Sequence, residues 1–295
     1  LDGGLGRELQ AMGAPFRQPE WSALALLEGA EYVRAAHDAF LQAGADIVTT
    51  NSYAIVPFHI GADVFEARAS ELLRLSGKLA RAAADDAGRQ VRVAASVPPM
   101  FGSYQPEKFD PHAAADMMRL FREELADYAD LFLAETHGSV AEAELFLTEF
   151  MPTGRPVWLS VTLEDVGVKV GQPQLRSGEP LSDLLALCRN QPPDALLFNC
   201  SQPEVMEDAI TVAHTHFSGD HPPLIGVYAN AFPLADDKYK GANTTLHKLR
   251  QDITPDAYAD YAERWVAAGA GIIGGCCGIS PLHIKCLKER LLRQV

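Results

Sequence analysis

Short runs of β-branched and aliphatic residues recur along the whole chain, each followed by a stretch with helical spacing, and few folds accommodate that alternation. The strand-like runs lie at 45–52, 91–97, 130–136, 156–163, 195–201, 224–230 and 270–277, and a truncated one opens the chain at Leu1-Asp2, making eight. Between them lie amphipathic stretches such as 21–43, 65–87, 111–129, 204–217 and 255–268. Thr254-Pro255 joins a capping side chain to a proline suited to a first helical turn, and Gly44 and Gly269 stand where helices should stop. Strands alternating with helices pair in parallel through right-handed crossovers. Eight such units in 295 residues fit a (β/α)8 TIM barrel, for which about 250 residues is typical. A doubly wound open sheet is the α/β competitor. Its usual mark is only half present, because Gly3-Gly4-Leu5-Gly6 lacks the last glycine at the right spacing and no convincing acidic ribose partner follows. The Gly- and Pro-rich stretch 163–180 follows a strand and reads as a long βα loop, so residues 1–295 are expected to form one domain.

Composition excludes several classes of protein. Apolar residues make up 47% of the chain and charged residues 22%, enough to bury a sizeable core and too apolar for intrinsic disorder. The net charge of −14 opposes nucleic acid or an anionic membrane as the main partner and mildly favours a cationic or neutral small ligand. No window approaches 18 uninterrupted apolar residues, and no basic region followed by an apolar one opens the chain. A cytoplasmic location is the resulting expectation. Five cysteines, an odd number, fit a reducing compartment rather than a disulfide scaffold.

In a barrel the C-terminal ends of the strands converge on one face, where sites assemble. Those ends carry Asp2, Thr50-Asn51, Ser96, Glu135-Thr136, Thr162, Asn199-Cys200, Asn230 and Cys276-Cys277. Three of the five cysteines therefore fall on that face, from strands with only one strand between them. Three thiolates suit a soft or borderline metal, zinc most commonly, and a three-ligand site leaves a position open for water or substrate. A buried pair at the barrel mouth and a redox-active pair are the other readings of the doublet. Cys188 and Cys286 read as small buried hydrophobes.

The residues also resemble a family. Leu1-Asp2-Gly3-Gly4-Leu5-Gly6-Arg7-Glu8-Leu9, Trp21-Ser22-Ala23, the run 41–53, Glu135-Thr136, Asn199-Cys200-Ser201 and Gly274-Gly275-Cys276-Cys277-Gly278 look like the homocysteine S-methyltransferases, in the family's order and over nearly the whole chain. The resemblance implies a (β/α)8 barrel with Zn²⁺ held by Cys200, Cys276 and Cys277, and methyl transfer to the sulfur of homocysteine, giving methionine. The chemistry is coherent in its own terms. A free thiol is mostly protonated at pH 7, and zinc coordination deprotonates it. Three protein thiolates leave the dication with an excess negative charge, so an incoming sulfur stays nucleophilic. Its partner must be an activated methyl group, on a sulfonium, a quaternary ammonium or a methylated cofactor.

For the amino acid, Glu135 and Asp2 are acceptors suited to an α-ammonium, backbone N–H groups of the Gly3-Gly4 turn can bind the carboxylate, and Asn199 and Asn230 can orient either end. His137 is read as a loop residue, and His214 and His216 as residues of a solvated helix end. Two segments depart from the family pattern: Ala95-Ser96-Val97-Pro98-Pro99 replaces its Gly-Ser and Gly-Pro pairs, and the chain reads Tyr228-Ala229-Asn230-Ala231 where the family usually has an aromatic-Pro-Asn segment. No second region is large enough for a folate or cobalamin module, and the short tail 278–295 looks like the compact branch that uses S-methylmethionine or S-adenosylmethionine. Methylation of another thiol or a selenol, and a non-catalytic zinc or redox-sensing barrel, are the rival readings.

Overall fold

The structure, a computed structural model, describes residues 1–217, 222–234 and 248–292. Seven parallel strands form one curled sheet in sequential order: β1 (Ile47–Thr49), β2 (Arg92–Val97), β3 (Leu131–Ala134), β4 (Val157–Val161), β5 (Ala195–Asn199), β6 (Leu224–Tyr228) and β7 (Ile272–Ile273). Each falls inside a run read as a strand from the sequence.

Leu1-Asp2 does not form the expected eighth strand. It bridges the two edge strands instead. The Leu1 nitrogen donates to the Ile273 carbonyl at 2.8 Å and Gly275 N–H to the Asp2 carbonyl at 2.9 Å, but towards β1 the Thr49 N–H is taken by the Asp2 carboxylate at 2.8 Å. A side chain replaces the backbone ladder on that side, so no strand pairing with β1 develops.

Side-chain alternation along the strands sorts two layers. Ala94, Leu131, Leu133, Trp158, Ala195, Leu197 and Tyr228 pack together in one cluster. Their neighbours of opposite parity, among them Ala95, Phe132, Leu159, Leu196, Phe198 and Val227, join the larger core under the helices. Continuing the first parity past Leu133 and Leu197 reaches Glu135 and Asn199, so the same alternation that fills the sheet's concave side carries polar groups to its C-terminal end.

The helices follow the sequence with small displacements. The stretch 21–43 divides at Gly29 into Ala23–Glu28 and Ala30–Gln42, and the others appear as Ala62–Asp85, Pro111–Leu125, Pro203–His216 and Pro255–Ala267. The Thr254 side chain accepts from Ala257 N–H, as a cap should, and Gly44 and Gly269 adopt φ of +103° and +116°. The loop after β4 is stiffened by isolated bridges between Leu163 and Leu175 and between Gln174 and Pro180 before a helix begins at Leu181. In the tail, Pro281–Leu291 is helical, and residues 293–295 lie outside the described residues.

Candidate metal centre and substrate cavity

Cys200 directly follows β5, and Cys276 and Cys277 follow β7, with β6 between them. Each is held by its main chain. Cys200 N–H donates to the Tyr228 carbonyl at 3.1 Å, Cys276 N–H to the Ala229 carbonyl at 2.9 Å, and Ala231 N–H to the Cys277 carbonyl at 2.8 Å. Asn230 adds its side-chain amide to the Cys200 carbonyl at 2.8 Å. Cys200 and Thr136 both sit at positive φ, +52° and +64°, a conformation that L side chains adopt only when their surroundings enforce it.

The three sulfurs lie within 4.8 Å of one another. Sulfurs bound tetrahedrally at about 2.3 Å from one zinc ion would be about 3.8 Å apart, so the donor set fits that ion in type and spacing. Hydrogen bonds from Cys276 and Cys277, followed by those from Tyr104 and Asn230, hold the Cys200 thiol well below its ordinary pKa, while the doublet is pushed up. Three thiolates this close repel, so a cation is needed before all three ionise together.

The cysteines open into a cavity of about 470 Å³, within the range of small-molecule sites. Asp2, Gly3, Glu135 and Asn230 line it alongside them. Glu135 accepts a hydrogen bond from the Ser96 hydroxyl, and burial pushes its pKa up to about 7. Burial likewise lifts Asp2 to about 6, against the opposing hydrogen bonds from Thr49. Asp2 is thus partly spent on the seam between the edge strands.

Asn199 is a correction to the sequence reading. It is fully buried and is not among the cavity residues. Its side-chain Oδ1 accepts from Thr136 N–H and the Ser160 hydroxyl at 2.9 and 2.8 Å, and its side-chain Nδ2 donates to the Thr136 hydroxyl at 2.8 Å. It supports the loop that follows Glu135. His137 is also fully buried, with Nε2 3.3 Å from the Val97 carbonyl, and lies outside the cavity lining.

Gly3 and Gly4 are required by close approach. A Cβ on Gly3 would meet the Ile279 carbonyl at 2.4 Å, and one on Gly4 the Cys276 carbonyl at 2.5 Å. Gly4→Ala is expected to destabilise the protein by about 1–3 kcal/mol, because the opposing atoms are backbone and cannot swing away. Chemical denaturation checks this; a stability within about 0.5 kcal/mol of the unmodified chain contradicts it.

Tyr104 and Arg176 were not singled out in the sequence, although both line the cavity. Arg176 belongs to the Gly- and Pro-rich loop. Tyr104 follows β2, in a stretch whose sequence carries no periodic or charged signal.

A parallel α/β sheet with three converging sulfurs at its C-terminal end defines a class of protein with a cysteine cluster suited to a thiophilic metal, opening into a small-molecule cavity. The profile of the homocysteine S-methyltransferase family matches residues 1–291. The Escherichia coli (strain K12) homocysteine S-methyltransferase is 33% identical, covering 98% of this chain and 94% of its own. The selenocysteine Se-methyltransferase of Brassica oleracea var. italica is 29% identical over 99% and 88% of the two chains. The crystal structure of the metallated form of the E. coli homocysteine methyltransferase MmuM superposes with a TM-score of 0.79 at 30% identity, covering 98% of this chain and 95% of that one. The chain belongs to the homocysteine S-methyltransferase family.

Proposed function

We propose that this chain moves a methyl group from a sulfonium donor, S-methylmethionine or S-adenosylmethionine, to the thiol of homocysteine, giving methionine. Zn²⁺ held by Cys200, Cys276 and Cys277 would ionise and orient the acceptor sulfur. The observation that carries this reading is the convergence of three sulfurs within 4.8 Å beside a cavity lined by carboxylates. As architecture, we propose a single-domain (β/α)8 barrel in which the Leu1-Asp2 segment takes the eighth position.

The chain's residues have distinct tasks in the transfer. Glu135 accepts from the α-ammonium of the amino acid, with Asp2 contributing negative charge nearby. Backbone N–H groups of the Gly3-Gly4 turn meet the carboxylate, and Asn230 steadies both Cys200 and the cavity wall. The acceptor thiol releases its proton to solvent, and its sulfur attacks the methyl carbon in line. A new C–S bond forms as the donor's S–CH₃ bond breaks, and the bonding pair stays with the donor sulfur, which becomes a neutral thioether. The cation's charge is lost in the step, so the cavity's carboxylates favour bound donor over spent donor and help product leave. The partners in this scheme are small molecules, and no helix among the described residues is long and apolar enough to cross a membrane.

A donor panel tests the specificity. Zinc-loaded protein with homocysteine is expected to form methionine from S-methylmethionine or S-adenosylmethionine at least tenfold faster than from betaine or a methylated folate, about 1.4 kcal/mol in barrier. No turnover with any methyl sulfonium contradicts the proposal. Selenocysteine is the informative second acceptor, because a relative of 29% identity carries that specificity in its name. Turnover with selenocysteine but not homocysteine would redirect the acceptor assignment while leaving the sulfur centre in place.

A further inference from the structure

Neither sulfur ligation nor amino-acid binding makes use of Tyr104 or Arg176, yet the two form a connected path to the centre. The Tyr104 backbone is held at φ +61° behind Gly102 at +124°, and its hydroxyl lies 2.9 Å from the Cys200 sulfur and 3.0 Å from the Cys200 carbonyl oxygen. The Arg176 guanidinium stands over the phenol ring, 4.9 Å from its centroid. Arg176 is fixed by Asp165 at 2.8 Å, and the other Asp165 oxygen accepts from Gln202 N–H at 2.8 Å, two residues beyond Cys200. Loops after β2, β4 and β5 thus join in one path that ends on the Cys200 sulfur. The path is maintained at a cost, since the buried Arg176 Nε has no hydrogen-bond partner among the described residues.

A cation over an aromatic face polarises the ring and makes a phenol a stronger donor. Hydrogen bonds from outside a ligand set orient the ligands and tune their electron donation. We infer that Tyr104, reinforced by Arg176, is a positioning residue for the sulfur centre: its hydroxyl donates to Cys200 Sγ, fixes that side chain towards the doublet and draws negative charge from one thiolate. This inference rests on the proposed function's reading of the three cysteines as a metal site. It adds a control on ligand strength that originates two loops away and reaches the centre through a neutral side chain.

Tyr104→Phe removes the hydroxyl and keeps the ring under Arg176. Zinc affinity, read by chelator competition, is expected to fall by about tenfold or more. With Co²⁺ in place of zinc, the sulfur-to-cobalt charge-transfer band is expected to move to longer wavelength, because a thiolate relieved of a hydrogen bond gives up electron density more readily. Arg176→Gln should move both readouts in the same direction by a smaller amount, and should add nothing on the Tyr104→Phe background. Circular dichroism of each variant monitors the fold. If the unmodified chain binds neither zinc nor cobalt, the metal reading fails and takes this inference with it. If the unmodified chain binds metal while Tyr104→Phe matches it in affinity and spectrum, the inference alone is overturned. Additive effects of the two substitutions break the link to Arg176.

Discussion

Cys277→Ser is expected to leave the chain folded, to abolish stoichiometric zinc binding and to lower methyl transfer to homocysteine by about a thousandfold or more. That figure corresponds to removing several kcal/mol of metal-derived stabilisation of the reacting sulfur. The serine hydroxyl is a harder donor that stays protonated at neutral pH, so the site would retain two sulfurs and one neutral oxygen. Such a set binds a borderline metal weakly and does not offset its charge. The substitution is tolerable for the fold because Cys277 borders the cavity and is held through its carbonyl by Ala231 N–H, a bond that survives loss of the sulfur. Cys188→Ser is the matched control: Cys188 is fully buried in the helix Leu181–Asn190 and is not part of the three-sulfur group. Its substitution should lower stability and leave zinc content at one per chain. Elemental analysis paired with thermal unfolding separates the two, and full zinc occupancy in Cys277→Ser would sink the ligand assignment.

What the sequence disclosed and what it concealed divide along a physical line. Strands and their order follow from the short β-branched runs, because burial on both faces of a parallel sheet demands such runs whatever the neighbours. That Glu135 and the three cysteines reach one cavity was legible for a related reason: strand ends fix where a side chain emerges without knowledge of tertiary detail. The alanines at 229 and 231 looked like departures at the mouth, but both hold the cysteine doublet through backbone groups, at 2.9 Å to Cys276 N–H and 2.8 Å to the Cys277 carbonyl, so the side-chain change leaves the pinning intact.

Two of the misses were competitions for hydrogen bonds, and a third was a contact between distant loops. Asp2 gave its carboxylate to Thr49 N–H and so prevented a ladder on that side. Asn199 found partners in Thr136 and Ser160 and never reached the cavity. Tyr104 and Cys200 come from loops after β2 and β5, which are not neighbouring strands, and no periodicity within either loop encodes their meeting. Local pattern fixes which residues reach the rim; which rim groups remain free for a ligand depends on contacts made across the sheet.

In the proposed function that distinction makes Glu135 the ammonium acceptor of consequence, because its neighbour Asp2 is already committed to the seam. Glu135→Gln is expected to lower kcat/KM for homocysteine by about a hundredfold at pH 8, chiefly through KM. A charged acceptor for a desolvated ammonium is exchanged for a neutral one, a loss of about 3 kcal/mol. The pH profile carries the diagnostic. Burial raises Glu135 to about 7, so the carboxylate that meets the ammonium is mostly protonated at pH 6 and mostly ionised at pH 8. Below pH 7, kcat/KM should therefore climb by up to about tenfold per pH unit, and the limb belonging to Glu135 should vanish in Glu135→Gln.

Stability should move in the opposite sense. With its folded pKa above the ordinary carboxyl value, Glu135 binds more protons in the native state than in the unfolded state, so its stabilising contribution is complete at low pH and is lost as pH rises through about 7. Glu142, also raised to about 7 by burial, acts in the same window. His37 and His137, lowered to about 4, oppose this between about pH 4 and 6.5, where the unfolded chain takes up their protons, and contribute little above it. From pH 6.5 to 8 the metal-free protein should thus lose about 1 kcal/mol of stability while the zinc-loaded enzyme gains activity. Denaturant titrations across that range check the first trend and initial-rate kinetics the second. An acidic limb that persists unchanged in Glu135→Gln would assign the titration to the acceptor thiol and remove Glu135 from ammonium recognition.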